Sequence, residues 1–217
     1  MNHSLPNLAC QTIPQALVPS ASRLIATSFY DNPAHIYLCP DDQTRLEQLT
    51  WLLGLNLQLQ LKYQAESFCY PKNNTVQAMG FWTKPNEVVV GLGAKIKGGL
   101  YKVPFKMGWD GFKRTMEVSA GIDNHLQRTM GTKQPYRYLN NMVMEESLRG
   151  KGWGSQILQQ QFDLIRQQNT KAVLALSTQR YWTVQFYERL GFEVLLEEKI
   201  GSGALAFVNW TMRKVLG

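Results

Sequence analysis

The chain has 217 residues, 44% of them hydrophobic and 18% charged, which is enough for a sizeable core and is most simply housed in one domain. Its longest apolar runs, such as Trp51-Leu52-Leu53 and Val88-Val89-Val90, fall far short of the ~18 to 20 residues that span a bilayer, so no membrane span is expected. No Lys or Arg precedes Arg23, and Pro6 and Pro14 interrupt any apolar leader, so a cytoplasmic location is expected despite a faint lipoprotein-like Leu8-Ala9-Cys10.

Three cysteines (Cys10, Cys39, Cys69) are an odd number without metal-ligand spacing, which fits a reducing compartment and offers no metal site. The N-x-[ST] triplets at Asn2, Asn73 and Asn209 matter only in a secreted chain and are discounted. A net charge of +7 suits an anionic ligand, an anionic partner or simple solubility, and alone chooses none of them. It is uneven: in residues 95 to 114, Lys95, Lys97, Lys102, Lys106, Lys113 and Arg114 stand against Asp110 alone.

Residues 1 to 18, with Pro6 and Pro14 and few charges, read as an extended lead-in. Pro19-Ser20 offers an N-cap for a helix through about Tyr30, which Asp31-Asn32-Pro33 stops. Asp41-Asp42 opens a second helix, with carboxylates at the positive end of its dipole and Leu46, Leu49 and Leu53 on one face. The run Leu55 to Leu61 alternates Leu with polar residues like a strand, yet contains no β-branched residue, and helix is expected there. Ser67 to Tyr70 and Thr75 to Trp82 flank the turn-forming Pro71-Lys72-Asn73-Asn74 as an antiparallel hairpin. From Pro104, the residues Phe105, Trp109, Phe112 and Met116 recur at the spacing of one helix face, and such a stripe is expected to be core. Tyr138 to Met144 (strand), Gly154 to Gln168 (amphipathic helix) and Lys171 to Ser177 (strand) then make a β-α-β unit. Thr183 to Leu190 is a short helix ended by Gly191, and Phe192 to Leu196 and Ala206 to Met212 close the sheet as a final hairpin.

The informative segment is the run from Met142 to Ser155, in which a strand leads through Arg149-Gly150-Lys151-Gly152-Trp153-Gly154 into a helix. Glycines let backbone turn sharply and approach a ligand closely, and the first amides of the following helix lack intrahelical acceptors. Those amides, the helix dipole and the cations of Arg149 and Lys151 suit a pyrophosphate. Other phosphate loops fail on detail. A P-loop would need glycine five positions before Gly150 and Ser or Thr after Lys151; a dinucleotide fingerprint would need its third glycine one residue beyond Gly154. Gly91-Leu92-Gly93 has Ile96 where that fingerprint needs glycine.

Arg149-Gly-Lys-Gly152-Trp-Gly154 resembles the [QR]-x-x-G-x-[GA] acetyl-CoA motif of GNAT acetyltransferases, and Phe186-Tyr187-Glu188-Arg189-Leu190-Gly191-Phe192 resembles a segment that follows it there. Tyr136-Arg137-Tyr138-Leu139 and the preceding helical insertion are similar to the branch containing puromycin N-acetyltransferase. The resemblance implies a mixed α/β fold: a mostly antiparallel central sheet flanked by helices, with a β-α-β acetyl-CoA unit and a helical insertion before it. It further implies that the backbone of Met142, Val143 and Met144 pairs with the pantetheine arm as an added strand, and that amides from Arg149 through Ser155 (with Gly150, Lys151, Gly152, Trp153 and Gly154 between) cradle the pyrophosphate. Tyr187 would be the general acid at the departing thiolate, and Thr183 would take the place of an Asn usual in that branch. Ser177 stands where the branch often has Glu.

The reaction implied is acetyl transfer from acetyl-CoA by direct attack of a primary amine of a small molecule, with backbone donors on the oxyanion. Glu145 and Glu146 are candidate bases through water, although solvated loop carboxylates are the simpler reading. A basic insertion beside the cleft is expected to disfavour polycationic acceptors and to suit a mono-amine or an amine bearing an anionic group. Two other readings stay open: an acetyl-CoA sensor without turnover, and a basic module contacting nucleic acid or an anionic membrane through residues 95 to 114, against which a solvated face on a core-packed helix is favoured. The sequence leaves monomer and homodimer open.

Overall fold

A computed structural model describes residues 10–63, 65–84, 98–131 and 135–217. Its elements in chain order are α1 (Val18–Ser28), α2 (Pro33–Leu38), α3 (Asp42–Lys62), β1 (Glu66–Lys72), β2 (Thr75–Trp82), α4 (Val103–Met130), β3 (Tyr136–Met144), α5 (Trp153–Gln168), β4 (Val173–Thr178), α6 (Tyr181–Arg189), β5 (Glu193–Ile200) and β6 (Phe207–Val215). The six strands form one sheet in the order β1-β2-β3-β4-β6-β5, in which β3 and β4 are parallel and the other neighbours antiparallel. This is the mixed, mostly antiparallel sheet expected from the sequence.

Strand alternation builds two cores. Cys69 of β1 faces α1 to α4, while Phe68 and Tyr70 face α5 and α6. Along β2, Met79 and Phe81 go to the first side and Ala78 and Trp82 to the second. The helices therefore cover both faces, and the β-α-β unit brings α5 onto the second core through Ile157, Leu158, Phe162 and Ile165.

Two helices are begun by side-chain caps. Asp41 accepts from the Gln43 amide at 3.1 Å and opens α3, which runs unbroken through Leu55 to Leu61 as helix. Asn32 accepts from the Ala34 amide at 2.9 Å, with Pro33 in the first turn, so the residues that stop α1 also start α2. That six-residue helix went unpredicted because Asn-Pro was read only as a stop. The lead-in is extended at its end, where Gln11 pairs with Cys69 of β1; Asn2, Val88 to Val90, Gly91-Leu92-Gly93, Lys95 and Lys97 lie outside the described residues.

The aromatic stripe of α4 departs from expectation. Gly108 takes φ 73° and ψ 171°, which breaks the helix between Phe105 and Trp109. Phe105 is 90% and Trp109 69% exposed; of the stripe only Phe112 packs on the core, and Met116 is half-buried.

A buried polar chain fastens α2 and α4 to the sheet. The Asn32 amide donates to Gln179 (3.2 Å), Gln179 donates to Asn209 (2.8 Å), and Asn209, fully buried, donates through Nδ2 to Nδ1 of His125 (3.1 Å). Because an amide nitrogen can only donate, His125 accepts at Nδ1 and carries its proton on Nε2, 3.5 Å from Glu198. Arg128 grips that carboxylate with two bonds, of 2.6 and 2.8 Å. Substituting Asn209→Ala leaves buried partners unmet, and a loss of about 1–3 kcal/mol is expected in urea unfolding.

His35 stacks on Phe29 with ring centroids 4.8 Å apart, and burial, followed by the Arg180 charge, lowers its pKa to about 3 from the ordinary 6.5. The unfolded chain then binds the proton more tightly, so His35's contribution is complete above about pH 6.5 and shrinks as pH falls toward 3. Urea midpoints measured at pH 7 and pH 4.5 should fall with acid, and less steeply in His35→Phe.

Candidate active site

The site begins where two parallel strands part. β3 pairs with β4 only at Tyr136, Arg137 and Tyr138, opposite Val173, Leu174 and Ala175. β4 then continues along β6 as far as Thr178 opposite Trp210, and β3 stays with β2 up to Met144 opposite Ala78. A bulge turns β3 away: its register against β2 shifts between Met79 and Phe81, and Asn141 takes φ 51°. Gly80 lies at the shift, where an added Cβ would come within 2.7 Å of the Phe68 ring and 3.4 Å of the Met142 backbone.

The gap opens into a cleft of about 860 Å³. Met142, Val143 and Met144 line it along the edge of β3 that β4 has vacated, and Thr183 and Tyr187 line it from α6. Arg149, Gly150, Gly152, Trp153, Gly154 and Ser155 line its third side. The structure thus gathers, from three separate segments, all but one of the sequence-derived candidates.

The exception is Lys151, which is exposed and not part of the lining; its ammonium donates to the Ser147 carbonyl at 2.8 Å. Arg149 also departs from the expected role. Its Nε donates to the Met144 carbonyl (3.1 Å) and its terminal nitrogen to Ser28 Oγ (3.2 Å), so the guanidinium ties the end of β3 to α1. Its own amide donates to Glu146. What remains for an anion is the backbone: Gly150 (φ 73°) and Gly152 (φ 79°) bend the turn through left-handed conformations, and α5 starts with no side-chain cap. The first-turn amides of Trp153, Gly154 and Ser155 accordingly face an uncapped helix start.

Buried polar atoms without a protein partner gather around this cleft. His35 Nδ1, Asn141 Nδ2, Trp153 Nε1 and Arg180 Nε are all buried and unbonded, and all four residues line it. Unmet buried polar atoms are uncommon in folded proteins, and their concentration here fits a polar ligand.

Tyr187 is 7% exposed and wedged edge-on between Phe186 (5.1 Å) and Phe192 (5.5 Å). Burial, then the neighbouring Tyr138, pushes its pKa well above the ordinary 10, so the phenol stays protonated. Tyr138 is pushed up to about 12, chiefly by burial, with the neighbouring Ser177 acting in the opposite sense and Asp123 adding to the rise. Glu145 and Glu146 are exposed and outside the lining.

Sequence reasoning missed the wall supplied by α1, α2 and the β4 end. Asn32 and His35 come from the unpredicted helix, and Arg180 sits at the start of α6, ion-paired to Asp31 and with its guanidinium 5.3 Å from the Trp182 ring. It also missed Asp123 on α4, the acidic residue among the described lining.

Comparison with known proteins places this geometry. Residues 120–194 match the family model described as an acetyltransferase (GNAT) domain. No curated protein matches the chain at a significant level. Among solved structures, an arylalkylamine N-acetyltransferase from Aedes aegypti matches at 11% identity and a TM-score of 0.59, covering 98% of this chain and 100% of that one. A histone acetyltransferase and related acetyltransferase from Corynebacterium glutamicum matches at 16% identity and 0.56, covering 97% of each. A Salmonella typhimurium protein whose structure carries its cofactor acetyl-CoA matches at 12% and 0.50, covering 98% and 95%. Parted parallel strands, an uncapped glycine turn and the structural likeness together show that the chain has the GNAT fold, within which residues 120–194 match the acetyltransferase (GNAT) domain model.

Proposed function

We propose that the protein transfers the acetyl group of acetyl-CoA to a primary amine of a small molecule. The observation that carries this reading is the vacated edge of β3 leading directly to the uncapped start of α5. An extended arm laid along Met142 to Met144 would reach a pyrophosphate seat made by the amides of Gly150 to Ser155. The orphaned Asn141 and Trp153 nitrogens offer further donors beside that path. Acetyl-CoA would supply the activated thioester; the chain's part is to align it and to receive charge as it develops.

In this reading Tyr187 donates to the departing sulfur. A thiolate of ordinary pKa about 8.5 is too weak a base to strip a phenol held above 10, so the contribution is a hydrogen bond that strengthens as C–S cleaves, not an early proton transfer. Thr183, one turn earlier on α6, completes that wall.

On the acceptor side, α3 and α4 supply Leu53, Leu59, Met116, Ile122 and Leu126 together with the polar Asn56, Gln60 and Ser119 and the acidic Asp123. Among the described residues, Lys102, Lys106, Lys113 and Arg114 stand outside the lining, while Lys95 and Lys97 lie outside the described residues. An amine with an apolar body suits these walls, and the Asp123 carboxylate suits its positive charge.

Calorimetric titration tests the seat. Micromolar acetyl-CoA binding is expected for the wild type, weakened about tenfold by Gly152→Ala, which forces a side chain into φ 79°, and changed less than about threefold by Lys151→Ala, whose ammonium is engaged on the surface. No binding to folded wild type would overturn the reading. In Tyr187→Phe, kcat on an amine panel should fall by about 10²-fold with acetyl-CoA affinity unchanged. Binding without turnover on any amine would point instead to a sensor.

A further inference from the structure

The start of α4 carries a surface that catalysis does not use. Tyr101, Phe105 and Trp109, four residues apart, are 56%, 90% and 69% exposed. Trp109 is anchored: its ring meets Phe112 edge-on at 5.9 Å, and Phe112 packs on the core. Three neighbouring aromatics left in water are an apolar patch of the kind that marks an interaction site.

Its surroundings identify the partner's chemistry. Lys102 lies 5.7 Å over the Tyr101 ring, Lys106 and Lys113 flank Phe105 and Trp109 in the sequence, and Arg114 follows, bonded to the Leu38 carbonyl. Against these four cations stand Glu47, paired to Lys106 at 2.9 Å, and Asp110, 3.9 Å from Lys113. Aromatic rings at the tip with lysines beside them is the pattern of a helix that lies in a lipid interface, rings among the acyl boundary and ammonium groups at the headgroups. A second copy of the chain fits less well. Three aromatics bury at most about 450–750 Å² together, below the ~800 Å² per partner of a stable interface, and pairing the face with itself would set like charges together.

We propose that this face docks the protein on an anionic lipid surface. The same helix lines the cleft through Met116, Ile122 and Leu126, so docking would leave the acceptor wall close to the membrane without spanning it. No helix among the described residues is long and apolar enough to cross a membrane. The inference is independent of acetyl transfer.

Co-sedimentation of the full chain with vesicles of phosphatidylcholine plus phosphatidylglycerol, and with phosphatidylcholine alone, tests it. Binding to the anionic vesicles only, weakened by salt and reduced at least about tenfold in Phe105→Ala, Trp109→Ala, is the expected result. Lys102→Glu should also weaken it, and because all three positions are exposed the variants should keep the wild-type melting temperature and acetyl-CoA affinity. Wild type that stays in the supernatant, or sediments equally with both vesicles, overturns the proposal. So does a dimer seen by analytical ultracentrifugation that the double variant abolishes, since the face would then belong to a second copy. Vesicle binding in a protein that fails to bind acetyl-CoA would leave this inference standing and remove the catalytic one.

Discussion

Everything at the site depends on the parting of β3 from β4. A parallel pair that stayed bonded to its ends would bury its own amides and carbonyls and leave no room between layers. Here pairing stops after Tyr138 and Ala175, while each strand keeps its outer neighbour. The inner edge of β3 is thereby left with unspent backbone groups next to a cavity, the one place where a sheet can accept an added strand from a ligand. The bulge at Asn141 and the close approach at Gly80 make the separation a built feature of the sheet.

Around that opening, charge and hydrogen bonding are divided between support and reception. Arg149, the residue most readily assigned to a phosphate, is a bolt between β3 and α1, and Lys151 is held at the surface. In the proposed function, reception falls to the turn amides and to the unbonded polar atoms of Asn141, Trp153, His35 and Arg180. Fixed dipoles need no reorganisation on binding, which is an advantage over long cationic side chains that must first be ordered. The chain from Asn32 through Gln179, Asn209 and His125 to Glu198 does similar work for the roof, holding α2 and α4 where the cleft needs walls.

Helix α4 shows how a single break redistributes residues. Without the left-handed Gly108, a regular helix would carry Phe105, Trp109, Phe112 and Met116 along one side. The break separates Phe105 from the other three, and along the helix after it Trp109 faces water while Met116 lines the cleft, so one element serves an outer surface and an inner wall.

The sequence by itself determined the sheet, most helices and the glycine turn, because these rest on local signals: the turn-forming Pro71 to Asn74 between β1 and β2, the Asp41-Asp42 carboxylates opening α3, Gly191 ending α6, and the Arg149 to Gly154 spacing. It also named lining residues in β3, the turn and α6, since these follow one another in the chain. Tertiary structure alone decided what those residues do. Whether Arg149 meets a phosphate or a carbonyl depends on α1, more than a hundred residues away. The same holds for the polarity of the acceptor wall, made by α3 and α4, and for the outward turn of Phe105 and Trp109, which periodicity assigned to the core. Periodicity reports which side chains share a face; only packing between distant elements decides whether that face meets protein, ligand or water.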